Sequence, residues 1–210
     1  MNSENAGVYL NSSRTYQHRI QLYFGIVGTL IFWITYFIFS LASFGYDYIR
    51  QPINELQWLP NGWIQPANFI LFGLFTCLFS AGLRKELISG KGYTLLPLLH
   101  WVFGLSLIAC GLLSKGQFSN IIKPALFLSL IFSLLLFAYR FAGDTRWKGW
   151  AVVTVVCAGL IFIFLILIFL NGGTGRYAGF FDRAIYFTRA IWYIVFIMRL
   201  MMGYRLTPIA

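Results

Sequence analysis

The sequence predicts an all-α integral membrane bundle of six transmembrane helices with both termini in the cytoplasm. Three observations predict it. Only 10% of the 210 residues are charged, against roughly 25% in soluble domains. The mean hydropathy is +0.74, so the composition suits lipid rather than water. The apolar residues also gather into six runs, each near the ~20 residues that cross ~30 Å of hydrocarbon at 1.5 Å per residue.

The spans are read at 21–44, 66–83, 94–113, 124–141, 149–170 and 183–202. They form one transmembrane domain over 20–203, between an N-terminal cytoplasmic segment (1–19) and a cytoplasmic tail (204–210). The first run is too long for the ~7–15-residue apolar core of a signal peptide and reads as a retained anchor. Pro66 and Pro124 are expected in the first turns of their helices, where a missing N–H costs nothing. Asn171-Gly172-Gly173 is expected to release the fifth helix through left-handed dihedrals. Ile161 to Ile168 is apolar without alternation, which excludes the in–out pattern of a barrel strand. Helices are also required because lipid offers no partner to free backbone groups.

Orientation follows from the basic residues. One side receives Arg14, Arg19, Arg84, Lys85, Lys91, Arg140, Arg146, Lys148, Arg199 and Arg205, ten in all. The other receives Arg50, Lys115, Lys123, Arg176 and Arg183, and Arg189 falls within the sixth span. The positive-inside rule places the richer side in the cytoplasm of a prokaryotic cell membrane. The net charge of +10 therefore reflects topology, and no nucleic-acid partner is expected.

Cys77, Cys110 and Cys157 lie singly in apolar runs, so neither a CxxC redox motif nor a zinc site is expected. His18 and His100 are too far apart in the topology to supply paired haem ligands. No metal and no cofactor are expected. His100 reads as a hydrogen-bonded residue between helices. Gly172 to Arg176 lacks the G-K-[ST] ending of a phosphate loop and reads as a turn. Asn11-Ser12-Ser13 matches a glycosylation sequon on the predicted cytoplasmic side, where it has no role. Gly73, Cys77 and Ala81 make a stripe of small residues at four-residue spacing, as where helix backbones approach closely.

Polar residues converge at one place, the outer end. The connection from Gly45 to Gln65 is the longest in the chain and is expected to cap the bundle. Its Asp47, Arg50, Asn54, Glu55 and Trp63, with Lys115, Arg176, Asp182 and Arg183, form the candidate ligand site. Arg189 joins them about 9 Å deeper, six residues past Arg183. A charge at that depth must pair or serve a ligand. One reading is a structural ion pair with Asp182, Asp47 or Glu55; the other is an anion or lipid-headgroup site. Each of the six carboxylates lies near a membrane face, which speaks against a carboxylate proton relay.

Two stretches carry a resemblance. The first is Pro52-Ile53-Asn54-Glu55-Leu56, then Asn61-Gly62-Trp63, and then Asn68 through Gly73 to Ala81-Gly82-Leu83-Arg84. The second is Gly179-Phe180-Phe181-Asp182-Arg183, followed by Trp192 and Arg199-Leu200. Their order resembles the prokaryotic membrane family catalogued as domain of unknown function 998. The resemblance implies a compact six-helix bundle over nearly the whole chain and supplies no function. The family pattern includes an acidic residue after the third span and a histidine near the start of the fourth. Here Ser114-Lys115-Gly116-Gln117 and Ile122-Lys123-Pro124 carry neither.

The leading expectation is a non-enzymatic protein among membrane lipids that binds a lipid or other amphiphile at its outer end. Aromatic walls with a few basic groups suit an acyl chain with an anionic head. The alternative is a membrane-embedded enzyme acting on lipids, with Asp47, Glu55 or Asp182 as acid or base. A small transporter or channel comes third. The fifth span offers only Thr154 and Cys157 to line a path.

Overall fold

The computed structural model describes residues 3–87, 89–113, 119–147, 149–171 and 175–202, with side chains from Ile20 onward and, in the fourth helix, from Ile122. The expectations for Lys115 and for Gly172–Gly173 lie outside the described residues. Six long helices carry the chain: α1 (Ser3–Ala42), α2 (Ile64–Glu86), α3 (Leu95–Leu112), α4 (Ser119–Phe141), α5 (Trp150–Leu170) and α6 (Ala178–Met201). Each contains a stretch long and apolar enough to cross a membrane, with that of α1 running from Ile20 to Ala42. Short 3₁₀ helices at Ile53–Trp58 and Thr145–Trp147 complete the described secondary structure.

Every helix packs on its neighbours in sequence, and α6 returns against α1, so the six close into a ring. Aromatic side chains fill the middle. Phe32 stacks on Phe72 with centroids 4.6 Å apart, Phe79 tilts against Tyr193 at 4.6 Å, and Phe137 against Phe196 at 4.8 Å. Such ring pairs add roughly 0.5–1.5 kcal/mol each beyond the area they bury. The α5 wall differs. It has a mean hydropathy of 3.2 over its span, and little of that span is buried inside the bundle. It packs on α6, with Phe164 stacked on Phe181, and the indole N–H of Trp192 donates to Thr154 Oγ1 at 3.0 Å.

Where α2 passes α3, both chains are narrow. A Cβ built on Gly104 would meet Cys77 Sγ at 2.7 Å, so Gly73 and Cys77 of the small-residue stripe do face a partner helix. At the end of the bundle where α2 gives way to α3, Arg140 of α4 donates to the carbonyls of Lys91 at 2.7 Å and Ser89 at 3.0 Å. One cation thereby fixes the turn between α2 and α3.

Two helix starts differ from expectation. Pro124 is the sixth residue of α4 rather than a first-turn residue, because the helix already begins at Ser119. The carbonyl four residues before it, that of Asn120, then loses its helical donor near the membrane edge. The sixth helix begins at Ala178 rather than near Arg183. Its early start has a cause in distant residues. The first N–H groups of a helix have no partner within it, and here Gly179 and Phe180 donate theirs to the carbonyls of Arg50 and Ile49, at 3.2 and 3.0 Å. Arg189 is thus the twelfth of 24 residues in α6, at the middle of that helix.

Candidate functional site

Two features mark the outer half of the bundle: a polar latch holding the first connection, and a guanidinium deeper inside. The latch is built by consecutive residues of α6. Asp182 accepts the backbone N–H of Ile53 at 2.9 Å. Arg183 donates to the hydroxyls of Tyr36 and Tyr46 and to the carbonyls of Tyr48, Gly179 and Gln51. Its guanidinium also lies 5.2–5.5 Å from the ring centroids of Tyr36, Tyr46 and Tyr48. Ile53 and Leu56 are fully buried beneath the segment so held.

Sequence reasoning missed the three tyrosines. Their spacing around the end of α1 resembles an ordinary interfacial belt, and only the fold brings them to one cation. Burial raises the Tyr46 phenol above its ordinary pKa, so it is a neutral donor and acceptor at any physiological pH. Asp47 is pulled below the usual carboxylate range by the N–H groups of Ile49 and Arg50 that bond to it. Its pair with Arg50, at 3.7 Å, is exposed, and solvent screening leaves such a pair little weight in stability.

The remaining members of the candidate set are dispersed. Asn54 and Glu55 are half-buried on the 3₁₀ helix, Trp63 is exposed at the start of α2, and Arg176 is exposed beside the ring of Tyr177. Asp182 and Arg183 come together with the backbone of the loop. Arg189 stands apart from all of them, and no ion pair with it is found among the described residues. The carboxylate two turns above it is turned to Ile53 instead, so the expected pair between Asp182 and Arg189 is not formed.

Arg189 is 2% exposed, and its guanidinium carbon lies 4.7, 4.4 and 4.4 Å from the ring centroids of Phe72, Phe103 and Tyr193. Desolvated cation–π contacts contribute about 2 kcal/mol each, comparable in sum to the several kcal/mol it costs to bury one ion. The rings offset burial but accept no conventional hydrogen bond. Below them His100 packs among Phe79, Phe137 and Tyr193. Its Nδ1 bonds to the Leu96 carbonyl of its own helix at 3.0 Å, so the expected bond between helices is replaced by packing between them. No cluster of three or more metal-ligating side chains occurs among the described residues.

Beside the latch, the end of α1 and the turn into α2 border an open groove of about 610 Å³. Thr35, Ile38, Phe39, Ala42 and Phe44 form one wall, with Pro60, Asn61 and Ile64 opposite. Asn61 adopts a left-handed backbone (φ 59°), which turns the chain into α2 and shapes the rim. Sequence reading does not find this groove, because its residues look like any lipid-facing stretch.

The bundle and the latch carry both stretches of the resemblance. The model of a family described as a protein of unknown function, DUF998, matches residues 26–199. The chain belongs to the DUF998 family. No curated protein and no solved structure matches it. The DUF998 match covers α2 to α5, α6 as far as Arg199, the membrane-spanning part of α1 from Ile26 onward, and the latch residues Asp182 and Arg183.

The latch yields one stability prediction. Asp182→Ala leaves the Ile53 N–H without an acceptor in a half-buried setting. The expected loss is about 1–3 kcal/mol, read as a lowered midpoint of thermal unfolding in detergent.

Proposed function

We propose that this multi-pass membrane protein binds an anionic membrane lipid at its outer end, with one acyl chain in the groove between α1 and α2. The groove itself carries the reading. At about 610 Å³ it lies within the ~300–1,000 Å³ usual for ligand pockets. Its walls are mostly apolar, while Ser43 and Asn61 supply polar atoms at one end. The exposed Arg50 lies in the turn that follows Ser43 and Phe44, and gives a headgroup phosphate a cation at the surface.

Native mass spectrometry of the protein extracted in mild detergent tests this. Wild type is expected to retain one acidic phospholipid. Ala42→Trp, which fills the groove from an exposed position, is expected to cut that occupancy at least tenfold. A photoreactive acyl probe should label 35–44 and 60–64 above the outward face of α5, around Val155 and Val156. Equal labelling of both regions would mean ordinary solvation by lipid and would defeat the reading.

A further inference from the structure

We propose that Arg189 and Tyr193 form an anion site in the middle of the bundle, taking a small monovalent anion such as a halide or short carboxylate. The site shares no residue with the lipid groove and stands independently of it.

The inference starts from unanswered donors. Nη2 of Arg189 is enclosed and has no hydrogen-bond partner among the described residues. The hydroxyl of Tyr193, one helical turn further on, is also enclosed and without a partner. The two belong to one contact, since the Tyr193 ring lies 4.4 Å beneath the guanidinium. Arg189 and Tyr193 are only 2% and 1% exposed. Buried polar groups are nearly always satisfied, and a charge inside a membrane is paired or functional. Phe72 and Phe103 also pack against the cation and can accept no conventional bond from Nη2. A water molecule would take the N–H but leave the charge. An anion answers both the charge and the donors.

Two further buried amides lie on the face of α2 that carries Phe72. Gln65, Asn68 and Phe72 lie at i, i+3 and i+7 on the inward face of α2. Gln65 is fully buried, and neither end of its amide has a partner among the described residues. Asn68 donates to the Phe32 carbonyl at 3.0 Å, while its own Oδ1 has no donor among them. Gln65 and Asn68 lie about 10 Å and about 6 Å along the helix axis from Phe72 of the Arg189 cage. They give a partly dehydrated anion alternative partners. The enclosing rings limit its size, which favours a small ion over a lipid headgroup.

The test uses the full chain, purified in non-ionic detergent and melted while gluconate is exchanged for chloride or acetate at constant ionic strength. Wild type is expected to gain thermal stability along a saturating curve. Tyr193→Phe should move the half-saturating concentration up by about fivefold, the worth of one hydrogen bond. Arg189→Gln should abolish the response, and Lys85→Gln, exposed at the far end of α2, should leave it intact. If Arg189→Gln does not fold, Tyr193→Phe decides. An unchanged half-saturating concentration in Tyr193→Phe overturns the proposal. So does an absent or non-saturating response in wild type, or a response seen only on adding phosphatidylglycerol, which would assign the guanidinium to a lipid.

Discussion

Replacing Arg183 by alanine is expected to detach the first connection from α6 and to cost about 3–5 kcal/mol of stability. The side chain meets two phenol hydroxyls and three carbonyls, and charge-assisted bonds contribute ~1.5–3 kcal/mol each. The full sum will not be lost, because the carbonyls near the surface regain water. The hydroxyl of Tyr36 will not recover so easily, since that residue is fully buried. Lysine supplies one ammonium in place of a planar fork, so Arg183→Lys should recover under half of the loss. Thermal unfolding in detergent measures the magnitude, and limited proteolysis locates it. Cleavage should appear between residues 45 and 63 in Arg183→Ala while α2 and α6 stay protected. An intact, protease-resistant loop would show that the buried Ile53 and Leu56 hold it without the cation.

The contrast between Arg183 and Arg189 shows which information is local. Six spans are legible because each is a continuous apolar run, and a backbone in lipid has few ways to satisfy itself. Arg189 is legible as an anomaly for the same reason. Tyr193, one turn further along the same helix, follows from spacing, but Phe72 and Phe103 come from α2 and α3, which only packing brings to the guanidinium. Asp182, two turns away on the same helix, is a natural partner by spacing. The fold assigns it instead to Ile53, 129 residues distant. The start of α6 was hidden for a related reason, since its capping carbonyls belong to Ile49 and Arg50. Local sequence rules see caps from neighbouring side chains and do not see these.

The small-residue stripe shows the opposite case, a tertiary contact legible from spacing, and it leads to a prediction of sign as well as size. Alanine is a better helix former than glycine by about 1 kcal/mol, so Gly→Ala within a helix stabilises wherever space allows. Gly159 of α5 has nothing within 4 Å of a built Cβ, and Gly159→Ala should raise stability by about 0.5–1 kcal/mol. At Gly73 the same Cβ would come within 2.5 Å of the Gly104 carbonyl oxygen and 2.7 Å of Ile108 Cγ1. The first obstacle is backbone, so α2 and α3 must separate, and overpacking of this kind costs ~1–3 kcal/mol or more. Cost exceeds propensity, and Gly73→Ala should destabilise by about 1–2 kcal/mol net, with Gly73→Val worse. Thermal unfolding of the two alanine variants side by side checks this. Equal shifts of one sign would mean that helix propensity alone governs both positions. Opposite shifts would locate the tightest constraint on the bundle where α2 crosses α3, the two helices that also supply Phe72 and Phe103 to the Arg189 cage.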